Sequence, residues 1–375
     1  MSVHPVRLEI YRTAIPTRGF SHAAASRDMA EAVVVRLVFS DGSVGWGETL
    51  PRPYVTGETL ESVVADLSEH IWPMVRQKGV GAGEMPELPV RGPDGRCMNA
   101  AACAVDLACI QRFLSSGGGR DALSNRIRPR VSGVLGSADP RRTLRRLKWM
   151  LLGGLRDFKL KLGFGEQTDA ANLDAVCRRL GGKLAAGKAT LRVDVNGAWS
   201  AEETPYRTAE LKKRGVCVVE QPVFAPAEQF VELARRCELP LMADESLLTE
   251  SDAGLLLAEP KRVWWNIRLS KNGGLARCRS LAELADAHGV EFTIGCMVGE
   301  SGILSAAQRR LLQMIPEPRF VEGNYGRLLL RDDLTRPSPH MGFGGRLKPL
   351  GGGALGVSVR PEKLSRYGRL VATLE

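Results

Sequence analysis

The sequence lacks the features that mark membrane, disulfide-rich and zinc-binding proteins. No stretch approaches the roughly 20 consecutive apolar residues that a membrane helix needs, and no apolar run follows the first residues as in a signal peptide. The eight cysteines are scattered without a Cys-x-x-Cys pair, so we interpret them as buried, reduced thiols and not as zinc ligands. These absences favour a cytoplasmic protein without a membrane partner.

The net charge of +10 raises the question of nucleic-acid binding. One basic cluster falls at helical spacing and comprises Arg141, Arg142, Arg145, Arg146 and Lys148. No aromatic residues alternate with these side chains to stack on bases. The cluster is therefore typical of a solvated helix face, and the positive potential fits a small anionic substrate better than a nucleic acid.

The first part of the chain predicts an α+β domain over residues 1–128. Residues 6–10 and 32–39 are rich in strand-forming residues, and Asp41-Gly42 is a hairpin signal ahead of a third strand. Apolar residues then recur at helical spacing in residues 60–75, and a second helix is predicted over residues 99–114.

From residue 131 the pattern changes to strands that alternate with amphipathic helices. The eight strand-like runs cover residues 131–135, 158–162, 190–195, 216–219, 239–243, 263–269, 291–296 and 319–321. Such alternation indicates βαβ units and a parallel sheet, and eight runs predict a closed (β/α) barrel over residues 129–335. The tail, residues 336–375, contains a further strand-like piece and is predicted to return to the first domain.

Five consecutive barrel strands carry ionisable residues at or near their C-terminal ends. In chain order these residues are Lys159 and Lys161, Asp194, Glu220, Asp244, and Lys271. Active sites of such barrels lie at that face, so the side chains are expected to converge on one pocket. The two-residue spacing of Lys159 and Lys161 directs both to the same side of their strand.

Three carboxylates in one pocket repel each other and need a cation. Oxygen ligands without His or Cys suit Mg²⁺. Glu245 adjoins Asp244, and the sequence does not decide which of the two would be the third ligand. Lysines near a bound cation are expected to have depressed pKa values, which allows one of them to act as a neutral base.

An ordered set of motifs resembles the enolase superfamily, and within it the muconate-lactonizing and dipeptide-epimerase subgroup. The motifs are Gly-Trp-Gly-Glu at 45–48, Tyr-Val-Thr-Gly-Glu-Thr at 54–59, Lys-x-Lys at 159–161, Asp-x-Asn-Gly-Ala-Trp at 194–199, Glu-Gln-Pro at 220–222, Asp-Glu-Ser at 244–246 and Lys-Asn-Gly-Gly at 271–274. The resemblance covers nearly the whole chain. It implies a modified TIM barrel with an α+β capping domain built from the N-terminal region and the C-terminal tail.

The resemblance also implies a role for each motif residue. Asp194, Glu220 and Asp244 would bind Mg²⁺, with Mn²⁺ as an alternative ion. Lys161 would be the base on one face of the substrate and Lys271 the acid or base on the other face. Lys159 would support Lys161 and the developing negative charge. The implied reaction removes the α-proton of a small carboxylate to give an enediolate.

Racemisation, cycloisomerisation and elimination all remain open after this shared step, as does epimerisation of a dipeptide or an N-acylamino acid. In the dipeptide epimerases that the sequence resembles, an Asp-x-Asp pair on the eighth strand holds the amino group, whereas this chain has Glu322-Gly323-Asn324. None of the five histidines ends a predicted barrel strand, which disfavours the His-dependent mandelate racemase branch. A non-catalytic binding protein on the same fold is the alternative of another class, and it leaves the paired lysines without a use.

Candidates for substrate binding come from the capping region and from the last two strands. They are Arg18, Phe20, Arg52, Tyr54, Glu300 and Glu322, and Arg268 joins Arg18 and Arg52 as a candidate partner for a second substrate anion. The sequence defines neither the substrate nor the oligomeric state, although a homo-oligomer is compatible with it.

Overall fold

The computed structural model describes residues 3–22, 25–79, 87–115, 123–124, 126–351 and 354–375, without the side chains of residues 19–22, 25–27, 111, 112 and 115. The strands are β1 (Pro5–His22), β2 (Ala25–Phe39), β3 (Val44–Thr49), β4 (Gly133–Leu135), β5 (Asp157–Lys161), β6 (Thr190–Asp194), β7 (Val219–Glu220), β8 (Leu241–Ala243), β9 (Val263–Ile267), β10 (Phe292–Ile294), β11 (Phe320–Val321), β12 (Thr335–Arg336), β13 (Ser358–Val359) and β14 (Gly368–Leu374).

The α-helices are α1 (Pro53–Thr56), α2 (Leu60–Asp66), α3 (Trp72–Lys78), α4 (Asn99–Ser115), α5 (Pro140–Leu152), α6 (Glu166–Ala185), α7 (Thr204–Lys213), α8 (Ala227–Arg235), α9 (Glu250–Leu256), α10 (Leu275–Ala287), α11 (Gly302–Met314) and α12 (Pro361–Tyr367). A π-helical turn, Leu67–Ile71, joins α2 to α3. In the part of the chain that the structure describes, no helix is both long enough and apolar enough to cross a membrane.

The capping domain is an antiparallel sheet in the order β14-β1-β2-β3, and α4 packs against it. Gly45 and Gly47 in β3 allow this close packing. A Cβ atom at Gly47 would lie 1.7 Å from the Ala104 carbonyl oxygen, and one at Gly45 would lie 1.9 Å from that of Ala108. The two glycines of the Gly-Trp-Gly-Glu motif thus allow the helix backbone to rest on the strand.

The barrel is an eight-stranded parallel sheet in sequential order from β4 to β11, with helices between the strands. Each of its strands overlaps one of the eight predicted runs, by a single residue in the case of β7, which confirms the predicted modified (β/α)8 barrel with an α+β cap. β14 pairs with β1, with Leu8 opposite Leu374, so the tail returns to the capping sheet as expected. The domain boundaries at residues 128 and 335 remain a prediction.

The first and last strands close the barrel through a short seam. Val131 forms an isolated parallel bridge with Val321, and the Ser132 backbone N–H donates to the Val321 carbonyl at 2.8 Å. Within the described residues, no regular ladder joins β4 to β11. The segment that follows β11 lies beside this seam, where the Tyr325 hydroxyl donates to the Ser132 carbonyl at 3.2 Å.

Buried acidic side chains join the cap to the barrel at helix N-termini. Glu48 of β3 accepts from the backbone N–H groups of Ser301 and Leu304, both at 3.0 Å, at the start of α11. Asp106 of α4 accepts from the N–H of Leu275 at 2.6 Å, at the start of α10. Free N–H groups and the helix dipole make such positions favourable for carboxylates. The cap is therefore held above the C-terminal ends of the barrel strands.

Candidate active site

The lysines of β5 and the carboxylates of the next three strands converge at the C-terminal end of the barrel. Lys161 is the last residue of β5 and pairs in register with Asp194, the last residue of β6. Asp194 in turn pairs with Glu220, the last residue of β7, and Asp244 directly follows β8. In-register parallel strands end at one level, which is why these side chains meet.

Lys161 lies at the surface of the internal cavity. Its Nζ is 2.8 Å from Asp194 Oδ2 and 2.8 Å from Asn196 Oδ1. Asn196 adopts a left-handed backbone conformation with φ of 48°, which turns its amide back toward the lysine. Burial by itself raises the pKa of Asp194, but the charges of Lys161 and Lys159 outweigh it and hold that pKa below its usual value.

Lys159 lies deeper and is surrounded by carboxylates. Its Nζ is 2.7 Å from Glu322 Oε2, 3.0 Å from Glu220 Oε2 and 3.3 Å from Asp194 Oδ2. Burial acts to lower the pKa of Lys159, but the facing carboxylates, Glu220 foremost, raise it well above its ordinary value. Three anions surround the amine and stabilise its charge in this arrangement, and the depressed lysine pKa expected next to a bound cation stays a prediction.

Arg268 joins the cluster from the opposite side of the barrel. It directly follows β9, and its Nη2 donates to Glu220 Oε1 at 3.2 Å and to Asp244 Oδ2. Like Lys159 and Lys161, it lines the cavity. The sequence suggested Arg268 as a partner for a substrate anion, but not as a partner of these carboxylates.

Lys271 is not brought to the cavity, which corrects the expectation that it faces Lys161. The side chain is fully buried, and Nζ donates to the backbone carbonyls of Asp244 at 2.6 Å, Asn266 at 2.7 Å and Leu247 at 2.9 Å. These three acceptors use all three ammonium protons. The lysine therefore ties together the turns after β8 and β9, behind the carboxylate cluster.

The carboxylates supply the oxygen donors that Mg²⁺ prefers. Asp244 Oδ1 and Glu245 Oε2 are buried without a hydrogen-bond partner, although Asp244 Oδ1 lies 3.3 Å from Lys271 Nζ. Both oxygens could act as metal ligands, so the choice between Asp244 and Glu245 as the third ligand stays open. These carboxylate oxygens are thus the type of ligand that a hard divalent cation prefers.

The same carboxylates are held by protein cations in this arrangement. Although the carboxylates lie near each other, no group of three His, Cys, Asp or Glu side chains within the described ranges has an arrangement that could hold a metal ion. Arg268 contacts Glu220 Oε1 and Asp244 Oδ2 simultaneously. A metal ion that uses these two oxygens therefore requires the guanidinium to move away.

The cavity has a volume of about 710 Å³ and combines a charged end with an apolar wall. The charged end holds Lys159, Lys161, Arg268 and Glu322. The apolar wall includes Val134, Met150, Leu155, Leu328, Met341 and Phe343, which come from β4, from α5 and its C-terminal turn, and from the segment after β11. Sequence reasoning missed this wall, because its residues belong to none of the strand-end motifs, and because the sequence pattern of the basic cluster of α5, whose Arg146 also lines the cavity, is typical of a solvated helix face.

Among the predicted substrate-binding residues, Glu322 lines the cavity, where it binds Lys159 and also accepts from Arg192 Nη2 at 2.6 Å. Arg52 is buried, and it donates to the Pro51 carbonyl at 2.8 Å and to the Val298 carbonyl at 3.2 Å, so it ties the cap to the loop after β10.

The other predicted substrate-binding residues do not line the described part of the cavity. Arg18 is exposed and donates from Nε to the Arg327 carbonyl at 2.8 Å. Tyr54 packs against the hydrophobic core. Glu300 Oε1 accepts from the Met297 N–H at 2.7 Å, so this side chain caps its own turn. The side chain of Phe20 lies outside the described residues.

Comparison with known proteins gives a family match and a consistent set of relatives. Residues 142–363 match the family model described as enolase C-terminal domain-like. An L-Ala-D/L-Glu epimerase of Escherichia coli is 32% identical over 309 residues, which are 81% of this chain and 88% of that protein. An L-Lys-D/L-Arg epimerase of Methylococcus capsulatus is 31% identical over 351 residues, or 88% of this chain and 94% of that protein.

Similar solved structures include enzymes of a second reaction type. The muconate lactonizing enzyme of Pseudomonas fluorescens, crystallised with muconolactone, has a TM-score of 0.85 and 26% sequence identity, covering 98% of this chain and all of that one. An N-succinyl Arg/Lys racemase of Bacillus cereus has a TM-score of 0.80 at 23% identity, covering 99% of both chains, and supports the fold alone.

Proposed function

Since the chain belongs to the enolase C-terminal domain-like family of the enolase superfamily, we propose that it removes the α-proton of a small carboxylate and rearranges the resulting enediolate. The observation that carries this proposal is the position of Lys161. Its amine lies at the wall of a cavity whose charged end is built from lysine, arginine and carboxylate side chains.

Lys161 is the base in this proposal. It is held by one carboxylate oxygen of Asp194 and one amide oxygen of Asn196, which fix the direction of Nζ. Lys159 is the electrostatic partner, because its three carboxylate neighbours keep it protonated while it faces the same cavity. A fixed positive charge next to the forming enediolate lowers the barrier most when water is excluded.

Asp194, Glu220 and Asp244 would hold a Mg²⁺ or Mn²⁺ ion. When bound, such an ion supplies Lewis-acid stabilisation of the negative charge on the substrate carboxylate. Release of Arg268 from Glu220 and Asp244 frees two of the oxygens for this purpose.

Cycloisomerisation or elimination on a muconate-like acid is the first candidate reaction, and epimerisation of a dipeptide or N-acylamino acid is the second. The identity to epimerases favours the second. Against dipeptides stands Glu322, whose two oxygens are bound to Lys159 and Arg192 and are not free for a substrate amino group. An N-acylated or purely anionic substrate has no free amino group and therefore needs no free carboxylate oxygen at Glu322.

The test is exchange of the substrate α-hydrogen with solvent deuterium, followed by NMR. The panel contains dipeptides, N-succinylamino acids, and muconate with muconolactone, each with Mg²⁺ and with a chelator. We expect exchange that depends on Mg²⁺ and falls at least about 100-fold in Lys161→Ala, since a general base contributes that much or more.

Lys213→Ala is the matched control, because Lys213 is exposed on α7 and paired with surface Glu210. We expect this variant to catalyse exchange of the substrate α-hydrogen at the wild-type rate. Exchange that survives in Lys161→Ala would contradict the role of that base. A panel without any exchange in a protein that binds Mg²⁺ would contradict the proposed substrate classes.

A further inference from the structure

Lys161 and Arg268 face each other across the barrel. Lys161 belongs to β5, the second strand of the eight, and Arg268 directly follows β9, the sixth. Strands four places apart in an eight-stranded barrel lie on opposite sides of its axis. Both side chains line the same cavity. A substrate that lies between them meets a lysine on one face and an arginine on the other.

The two cations differ in their chemistry. A lysine amine can lose a proton and accept another, so it can act as a base. A guanidinium has five donors and no acceptor, and it keeps its charge in proteins. The face of the cavity at Arg268 is therefore positively charged but cannot take a proton.

On the side of Arg268, no lysine reaches the part of the cavity that the structure describes. The two lysines that line the described cavity, Lys159 and Lys161, project from the same side of one strand. Lys271 follows Arg268 by three residues, but its amine is bound to three backbone carbonyls behind the cluster. Every amine that reaches the described cavity thus lies on one side of the substrate.

We infer that this protein works with one base and exchanges protons on one face of the substrate only. This inference rests on the proposed function and narrows it. The C–H bond breaks toward Lys161, Nζ takes the proton, and the bonding electron pair enters the enediolate. The enediolate then either takes the same proton back on that face, or expels a β-substituent that leaves with its bonding pair and receives the proton from Lys161.

Arg268 is in this account a catalytic residue that does not transfer a proton. Its planar guanidinium can bind one carboxylate through two parallel hydrogen bonds, whereas here a single nitrogen, Nη2, is shared between Glu220 and Asp244. When it leaves them it carries a fixed positive charge toward the substrate. The chemistry favours cycloisomerisation and syn elimination over racemisation, which needs proton transfer on both faces.

The experiment compares the two stereoisomers of each probe in deuterium oxide with Mg²⁺. The probes are N-succinyl-L- and N-succinyl-D-lysine, L-Ala-L-Glu and L-Ala-D-Glu, and the two α-hydrogens of muconolactone. For a probe that exchanges, we expect one isomer or one hydrogen to exchange at least about 100-fold faster than the other, because only one face has a base.

The outcomes separate this inference from the proposed function. Exchange of both isomers at similar rates would overturn the one-base inference and leave the enediolate mechanism intact. Exchange of neither isomer of any probe would overturn the proposed function and the inference with it.

Arg268→Lys provides an independent gain-of-function test, because it places an amine on the second face. We expect the variant to gain exchange of the previously inert isomer and to produce both isomers on chiral chromatography. Arg235→Lys, an exposed exchange of the same kind on α8, is the matched control and should remain one-sided. A folded Arg268→Lys that still leaves that isomer inert would contradict the placement of residue 268.

Discussion

Lys159 and Lys161 show how neighbours on one strand acquire different chemistry. Both point into the barrel, because alternate residues of a strand share a face. The deeper amine is enclosed by three carboxylates, whereas the outer one has a single carboxylate and an amide as partners. Depth in the barrel therefore separates the enclosed charge of Lys159 from Lys161, the amine proposed as the base.

The sequence could not distinguish Arg268 from Lys271, because the strand ends before both of them. β9 stops at Ile267, and the chain then turns with Asn272 N–H bonded to the Arg268 carbonyl at 2.9 Å. In such turns the two-residue alternation of a strand no longer indicates direction. Lys271, the charged residue nearest to the Gly-Gly motif, points away from the cavity. Arg268 lines the cavity at the place where the sequence predicted Lys271.

Replacement of Lys271 is expected to cost stability. Lys271→Met would leave the carbonyls of Asp244, Leu247 and Asn266 without their ammonium donor in a fully buried place. Loss of one partner from a buried charged network costs on the order of 3 kcal/mol or more. Denaturant unfolding of the variant and the wild type measures the difference.

Lys261→Met is the control, since that lysine is exposed and should change the free energy of unfolding by less than about 0.5 kcal/mol. A Lys271→Met protein of wild-type stability that has lost α-hydrogen exchange would instead favour a role in proton transfer.

At the scale of elements, periodicity predicted the barrel well and the cap less completely. The barrel strands are short, and each strand from β4 to β10 is followed by an α-helix, so the local pattern and the final structure agree there. The helix predicted over residues 60–75 is interrupted by the π-helical turn Leu67–Ile71, and Pro73 is the second residue of the α-helix that follows, α3. Proline lacks the N–H that would bond to the carbonyl four residues earlier, which explains why the α-helical hydrogen bonding is broken between α2 and α3.

The junction of β3 with α11 is expected to make stability depend on pH. Burial raises the pKa of Glu48 from its ordinary 4.5 to about 7, with hydrogen bonds from Ser301 and Leu304 opposing and nearby Asp333 adding to the rise. Glu300, buried beside it, also has a raised pKa. Because the folded-state pKa is the higher one, the stabilising contribution is complete below about pH 4.5 and is lost as the pH rises toward 7.

Glu48→Gln is expected to reduce this pH dependence by up to about 3 kcal/mol between pH 4.5 and 8, because an amide does not ionise. Chemical unfolding at a series of pH values checks the slope. Glu69→Gln, an exposed exchange in the π-helical turn, serves as the control. A slope that Glu48→Gln leaves unchanged would show that another group carries the pH dependence.

At the scale of the whole molecule, the capping sheet is completed by the last strand of the chain. β14 occupies the outer position next to β1, and their register changes between Ile10 and Tyr11. The sequence indicated that the tail returns to the cap, but it could not identify this partner. Strand pairing between distant segments leaves no local pattern in either segment.

Removal of residues 368–375 is expected to promote aggregation, because it uncovers the backbone donors and acceptors along β1. Light scattering and thermal unfolding should show larger particles and a lower transition temperature. Leu370→Ser changes an exposed side chain of β14 and keeps the backbone pairing, so it should behave like the wild type. A truncated protein that stays monodisperse at the wild-type transition temperature would contradict a protective role for β14.

The pairing of β1 with β14 also has a consequence for the order in which the strands can pair during translation. β1 leaves the ribosome before any other strand described here, while β14 is translated only after all eight barrel strands. During that interval β1 can pair with β2 on one side, but its other edge has no partner from its own chain. Among the strands described here, the one made earliest is thus the last to be fully paired, and the barrel strands are made before the capping sheet is complete.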